Sequence, residues 1–250
     1  MQNESQATES RFVEASASKA ALHDYSEIAG RSHARSSREY AAPSNLFRYR
    51  IVKRIVDVLV ILVSLPILLL VMFIVAVMIK ATSPGPIFFS HRRICRDGAF
   101  FSMWKFRTMC QNSSDVLERY LAQHPRARAE WNKTHKLRVD PRITPVGHFL
   151  RRYSLDELPQ AWNVILGQMS IVGPRPIVAA EVEKYGEFFQ FYSRVKPGVT
   201  GLWQVSGRSR LSYDARVRLD REYVLHWSLL KDAKILALTG RSVVNREGAY

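Results

Sequence analysis

The pattern of hydrophobic and polar positions divides the chain into three parts. Residues 1–44 mix Ser, Ala, Glu and Arg, as in Ser32-His33-Ala34-Arg35-Ser36-Ser37-Arg38, without a sustained apolar face, and read as a disordered cytosolic tail. The composition then changes abruptly. Val58 to Ile79 is a run of 22 residues without a formal charge, interrupted only by Ser64 and Pro66. As a helix it extends about 33 Å, the scale of a bilayer's hydrocarbon core. The pattern predicts a membrane helix within 45–81 and a soluble domain over 82–250.

Pro66 lacks an N–H and clashes with the preceding turn, so a kink is expected near Leu62–Pro66, splitting the run into Val58–Leu65 and Ile67–Ile79. Basic residues flank both ends: Lys53 and Arg54 before it, Lys80, Arg92, Arg93 and Arg96 after it. A single span should place its positive charge on one side. The charge pattern therefore predicts a re-entrant helix that dips into the membrane, bends at Pro66 and returns to the same face. Asp57 follows Lys53 and Arg54 at helical spacing, so pairing among the three is expected to anchor the helix mouth at the interface.

Beyond Thr82-Ser83-Pro84-Gly85-Pro86, Ile87–Phe89 and Phe100–Arg107 read as short strands, with Asp97-Gly98 as a hairpin signal. Helical spacing appears in Ser114–Lys133, broken by Pro125, and in Arg142–Arg152, Leu158–Gly167, Glu181–Phe191, Ser212–Trp227 and Ser228–Val244. The last segment has Leu229, Leu230, Leu236 and Val243 as candidate apolar positions. The fold class is mixed α+β, mainly helical, with a re-entrant Pro-kinked helix, a short β-hairpin and amphipathic helices lying at the membrane surface.

Composition sharpens this picture. The 250 residues are 47% hydrophobic and 24% charged, which supports one packed domain and excludes wholesale disorder. Two cysteines, Cys95 and Cys110, make no disulfide scaffold or zinc ladder. The first 44 residues hold no apolar signal-peptide core, which argues against secretion. Lys and Arg total 37 against 22 Asp and Glu, a net charge of +15 that calls for an anionic partner. Residues 91–152 carry fourteen Lys and Arg against five Asp and Glu. Such a segment suits both anionic phospholipid and a phosphate-binding cleft.

Arg151-Arg152-Tyr153-Ser154-Leu155-Asp156-Glu157-Leu158-Pro159-Gln160 concentrates the chemistry. One reading is a capping box, Ser154-x-x-Glu157. Pro159 would then be the fifth helical residue, unable to donate to the Leu155 carbonyl. Proline favours a first turn, so the helix can instead begin near Leu158, leaving Asp156 and Glu157 at its positive end beside Arg151. Capping and catalysis both stand at this level. Arg175 lies in the stiff loop Ile171-Val172-Gly173-Pro174-Arg175-Pro176, suited to a bidentate phosphate contact. Lys105 and Arg107 share one face of a strand. The glycine-punctuated stretch Pro197–Arg208 can bring backbone N–H groups near an anion.

These motifs, in this order, resemble the bacterial sugar transferase family, the monotopic polyprenyl-phosphate hexose-1-phosphate transferases that begin exopolysaccharide and O-antigen assembly. The resemblance runs from about Val52 to Tyr250. It rests on Lys53-Arg54-x-x-Asp57, Lys105-Phe106-Arg107-Thr108-Met109, Ser154-Leu155-Asp156-Glu157-Leu158-Pro159-Gln160, Gly173-Pro174-Arg175-Pro176 and Gly201-x-x-Gln204-Val205-x-Gly207-Arg208. The ending Gly248-Ala249-Tyr250 is similar to galactose- or glucose-1-phosphate transferases. Three positions depart from the pattern: Leu65 precedes Pro66 where many relatives carry serine, Cys95 stands where glycine is common, and His91 where glutamine is common.

The resemblance implies a ping-pong reaction at the cytoplasmic face of the bacterial inner membrane. Asp156 attacks a UDP-sugar, expels UMP and holds the sugar phosphate, which undecaprenyl phosphate then accepts. It implies Glu157 as a Mg²⁺ ligand, Arg151, Arg175, Lys105 and Arg107 on phosphate, and Gly207 and Arg208 near the nucleotide. The competing expectation is a non-enzymatic anchored protein, either scaffolding polysaccharide export or binding nucleic acid, with Tyr120, Trp131, Tyr153 and Trp203 stacking on bases. No nucleic-acid fold signature supports the latter.

Overall fold

The computed structural model describes residues 47–134, 136–207 and 211–244. The 1–44 tail, Arg208 and the Gly248-Ala249-Tyr250 ending lie outside them. The first helix, α1, runs Phe47–Thr82, 36 residues, or about 54 Å at 1.5 Å per residue. It is the one helix among the described residues long and apolar enough to cross a membrane. The expected division at Pro66 is not seen: α1 continues through it as one helix. A proline removes only its own N–H bond, and long helical flanks sustain the rest. The Ser64 hydroxyl donates to the Ile61 carbonyl at 3.1 Å just before this point.

Both ends of α1 dock on the same domain. Near its start, Tyr49 joins Val172, Tyr223 and Ile235 in one core cluster. Near its end, Val75 and Ile79 pack with Phe106 and Leu150 in another. Its middle is bare, with Leu62, Val63, Ile67, Leu70 and Phe73 each more than half exposed.

The hairpin forms as expected but longer. β1 (Phe88–Ile94) pairs antiparallel with β2 (Phe100–Phe106), Phe88 opposite Phe106 and Ile94 opposite Phe100. The turn passes through Asp97, in the left-handed region at φ 60°. Pro125 divides the following helical stretch into α2 (Ser113–Gln123) and α3 (Pro125–Thr134). The expected helix from Arg142 starts later, as α4 (Pro145–Arg152). Thr144 caps it by accepting from Gly147 N, and Pro145 occupies the first turn. Arg142 instead makes two guanidinium bonds to Asp140, at 2.8 and 2.6 Å, within the preceding loop.

After a single 3-10 turn, Leu155–Glu157, comes α5 (Gln160–Ile165). Two three-residue strands follow that sequence reading took for loops. β3 (Ser170–Val172) pairs in parallel with β4 (Gly198–Thr200). Between them the expected helix over Glu181–Phe191 breaks at Gly186 into α6 (Val182–Tyr185) and α7 (Phe189–Tyr192). The chain closes with α8 (Leu202–Ser206), α9 (Tyr213–Leu225) and α10 (Leu229–Val244). In α10, the buried apolar position among the described side chains is Ile235 rather than a leucine, while Leu229 and Leu230 face outward.

Candidate active site

Asp156 and Glu157 sit on the 3-10 turn between α4 and α5. Ser154 enters that turn in the left-handed region, φ 55°, and its side chain caps nothing. The capping-box alternative is thereby removed. The regular helix begins only at Gln160, with Pro159 immediately before it. The late start matches the placement favoured by proline chemistry.

A buried asparagine holds this turn against the hairpin. Asn163 accepts from Trp104 N at 3.0 Å and donates to the Ser102 carbonyl at 2.8 Å and to Gln168 Oε1 at 2.7 Å. It thus pins α5 to β2, and Lys105 follows Trp104 directly. Lys105 Nζ reaches Glu157 Oε1 at 2.7 Å and lies 3.6 Å from Asp156 Oδ2. From the other side, Arg151 Nε donates to Thr108 Oγ1 at 2.9 Å. The backbone carbonyl of Thr108 meets Gly147 so closely that a Cβ there would lie 2.1 Å from it. Gly147 therefore lets α4 press onto the strand end and carry Arg151 to the site.

Asp156 is 8% exposed. Burial pushes its carboxyl above the ordinary aspartate range. Lys105 pulls it back, Glu157 pushes it further up, and Arg151 pulls it down. Its ionised form therefore depends on these two cations.

Asp156, Glu157, Lys105, Arg107, Arg151 and Arg175 all line one cleft of about 1310 Å³. All six are residues that the sequence singled out as candidates. Arg107 also has a second task. Its guanidinium donates to the carbonyls of Ser83, at 2.9 Å, and Pro84, fastening the turn after α1. The cleft is also lined by Trp203, which the sequence offered only as a base-stacking candidate, and by Lys136 and Arg216, which it did not single out. Six cations thus face two carboxylates. One wall comes from α1 and is apolar except for Ser64: Ile61, Ile67, Leu68 and Val71 make up the rest.

The Lys53, Arg54 and Asp57 cluster does not pair within itself as helical spacing suggested. Lys53 Nζ is buried against Asp232 Oδ2 at 2.7 Å. Arg54 donates to the carbonyls of Val164 and Ile165 at the end of α5. Asp57 accepts from Ser170 Oγ and Ile171 N, at 3.0 and 3.1 Å. Long-range partners win because the domain folds over this end of the helix and shields it from water. The cluster clamps α1 to the domain.

Within the Pro197–Arg208 stretch Gly198 is tied to the segment around Gly173. Gly198 N donates to the Pro174 carbonyl at 2.7 Å, and Gly173 N to the Thr200 carbonyl at 2.9 Å. These N–H groups are spent on the backbone rather than held toward an anion. Gly207 is found at the end of α8, with φ 157°.

Among the described residues, no group of three or more His, Cys, Asp or Glu side chains could hold a metal. Asp156 and Glu157 fit a more modest demand. Mg²⁺ takes hard oxygen ligands, binds one or two protein carboxylates, and completes its shell with phosphate and water.

A family model described as bacterial sugar transferase matches residues 48–246. A "UDP-galactose-lipid carrier transferase" of Erwinia amylovora is 49% identical over 201 residues, 80% of this chain and 42% of that protein. An "Undecaprenyl-phosphate galactose phosphotransferase" of Salmonella typhimurium is 53% identical over 166 residues, 66% of this chain and 35% of that protein. The chain thus spans about two fifths of the length of these relatives. The "Exopolysaccharide production protein ExoY" of Sinorhizobium fredii is matched more fully, at 47% identity over 79% of this chain and 88% of that protein. With the matched region running from the first turn of α1 to beyond α10 and enclosing the whole cleft, the chain belongs to the bacterial sugar transferase family.

Proposed function

We propose that the chain transfers a hexose 1-phosphate from a UDP-sugar to undecaprenyl phosphate, releasing UMP, at the cytoplasmic face of the bacterial inner membrane. One observation carries the reading: a buried, cation-flanked carboxylate shares its cleft with the apolar face of a membrane-grade helix. A lipid phosphate and a soluble nucleotide must meet at such a boundary. The relatives named for galactose, at 49% and 53% identity, favour galactose over glucose as the hexose.

In this reading Asp156 is the nucleophile. An ionised Oδ attacks the β-phosphorus of the UDP-sugar, and the bond to the bridging oxygen breaks, with its electron pair leaving on UMP. The acyl phosphate then passes its sugar phosphate to the lipid phosphate oxygen, which restores the carboxylate. Lys105 and Arg151 keep Asp156 ionised and offset phosphate charge. Glu157, with one oxygen on Lys105, would hold Mg²⁺; when bound, the ion neutralises diphosphate charge and favours departure of the nucleotide.

The docking of α1 at both ends supports a one-sided topology. If the helix crossed the bilayer, a domain attached to both termini would have to lie on both sides. A helix immersed by its bare middle, with both ends held on one side, avoids this and presents Asp156 at headgroup level. The outward leucines of α10 suit the same surface.

The test is mass spectrometry of protein quenched during turnover with UDP-galactose. A hexose-phosphate adduct on Asp156, absent in Asp156→Asn, is expected. An adduct elsewhere, or unimpaired transfer by the variant, would refute the assignment.

A further inference from the structure

Three segments converge with the start of α1 on the turn that ends α5. Gly167 makes this turn in the left-handed region, at φ 75°, and its N–H donates to the Val164 carbonyl at 2.9 Å. The hairpin reaches it through Cys95, whose Sγ donates to the Gln168 carbonyl at 2.9 Å. The segment before β4 is tied to the hairpin in turn, since Asp97 N donates to the Ser193 carbonyl at 2.8 Å. From α1, Arg54 donates to the carbonyls of Val164 and Ile165. Arg54, Arg96, Gly167 and Lys196, which meet here, do not line the reaction cleft.

The glycine leaves a space at this turn that two cations flank. A Cβ at Gly167 would lie 3.3 Å from Lys196 Nζ and 3.9 Å from the Arg54 guanidinium carbon. Arg96, on the hairpin turn, adds a third positive charge, but Asp97 holds it at 2.9 Å. Lys196 is half-buried and, among the described residues, has no hydrogen-bond or ion-pair partner. Burial lowers its pKa, Arg54 and Arg96 lower it further, and Cys95 and Asp57 draw it back in part. The Asp57 carboxylate is itself engaged with Ser170 Oγ and Ile171 N. A lysine left to itself turns its ammonium to water. This one stays beside other cations, where an anion relieves the repulsion.

The surface beside this space is apolar. Trp162 on α5 and Leu166, immediately before Gly167, are spaced to share one helical face, and each is more than half exposed. So are Ile55 and Leu59, which follow Arg54 on α1 at the start of its bare stretch. An indole, with an apolar body and one N–H, suits the boundary between hydrocarbon and headgroups. Cations at the edge of such a surface fit a ligand with an anionic head and apolar chains. A free phosphate ion has no use for the second half of the site.

We propose that Lys196 and Arg54, over the Gly167 turn, bind the headgroup phosphate of an anionic phospholipid from the surrounding bilayer, with its chains along Ile55, Leu59, Trp162 and Leu166. The site is separate from the reaction cleft. It requires only that α1 lies in a bilayer, and the transfer chemistry does not enter it. Arg54 can serve the phosphate as well as the two carbonyls, because a guanidinium carries five N–H donors. Lys196 supplies an ammonium with no competing partner among the described residues. A lipid held here pins the start of α1 at headgroup depth.

The experiment uses the full chain in a neutral detergent, titrated with dioctanoyl phosphatidylglycerol while melting temperature reports binding. This lipid should stabilise the protein saturably, whereas dioctanoyl phosphatidylcholine and inorganic phosphate should not. Lys196→Gln should weaken the apparent affinity by about tenfold, and Lys196→Arg should keep most of it. Arg126→Gln, at an exposed position on α3, should leave it unchanged. If Lys196→Gln does not fold, Arg96→Gln decides, with an expected weakening of about threefold for a cation already paired. Unchanged affinity in the variant that decides would overturn the proposal. An equal loss in Arg126→Gln would do so too, because it would reveal diffuse surface charge in place of a site. Equal stabilisation by inorganic phosphate or by phosphatidylcholine would refute the anionic lipid as the ligand. Displacement of phosphatidylglycerol by a short-chain polyprenyl phosphate would assign the cations to the acceptor and overturn the proposal. Phosphatidylglycerol binding that depends on Lys196, in a protein that transfers no hexose phosphate, would support this site while sinking the transferase reading.

Discussion

The ammonium of Lys53 lies 2.7 Å from the carboxylate of Asp232, across 179 residues of sequence, and both side chains are buried. The carboxylate also accepts from Tyr223 Oη at 2.8 Å and Trp227 Nε1 at 2.9 Å. This ion pair joins the start of the apolar helix to the last helix of the domain. Removing one partner leaves a buried charge uncompensated. Lys53→Met should therefore cost about 3–5 kcal/mol of stability. Adding Asp232→Asn should recover a large part of the loss. Denaturation in detergent checks both values, and a single variant within about 1 kcal/mol of wild type would mean that the pair is not sealed from water.

Lys105 controls the ionisation of Asp156, and its loss should be visible in pH dependence. The acidic limb of kcat/KM should lie above the ordinary aspartate value of about 3.9, because burial dominates the Asp156 carboxyl. Lys105 opposes that burial. Lys105→Met should therefore move the limb to higher pH as well as lowering the rate. Initial rates across pH 4–8 test this, and a limb that stays in place or moves down contradicts it.

Glu157→Gln removes the charge that a hard dication requires. The Mg²⁺ concentration for half-maximal activity should rise by about tenfold or more, or activity should vanish. A metal titration of transfer checks this. Unaltered Mg²⁺ dependence would assign the ion to other ligands.

Asp220 makes the fold sensitive to pH away from the reaction centre. It accepts from Tyr185 Oη at 2.7 Å inside a cluster of tyrosines, and burial raises its pKa from 3.8 to about 8. The folded state holds this proton where the unfolded chain has lost it. Its contribution to stability is thus complete below the unfolded pKa, falls as pH rises, and is gone above about 8. Melting temperature should decline from pH 5 to pH 8, and Asp220→Asn should flatten the decline. An equally steep decline in the variant would place its origin at other groups.

The sequence made the Leu155–Glu157 turn and the hairpin legible because each depends on neighbours in the chain. Pro159 so close to Ser154 already argued for a late helix start, and Asp97-Gly98 marked the reversal between β1 and β2. The partners of Lys53, Arg54 and Asp57 were not legible. Their spacing suggested one another, whereas their real contacts come from α5, β3 and α10, which only tertiary folding brings near. β3 and β4 were missed because three residues give no periodicity, and their pairing spans an intervening helical segment. Arg216 was passed over because it is one of several cations along an ordinary helical stretch, and its guanidinium carbon comes within 4.9 Å of the Trp203 ring centre only in space.

Where the segments around β3 and β4 cross, no room remains for a side chain. A Cβ at Gly198 would lie 2.1 Å from Gly173 N, and one at Gly201 would lie 2.2 Å from the Gly173 carbonyl. Even alanine, the smallest alternative, requires the main chain to part. Attempts to retune this protein by directed evolution therefore have no usable diversity at this seam, and must look instead to the side chains it supports.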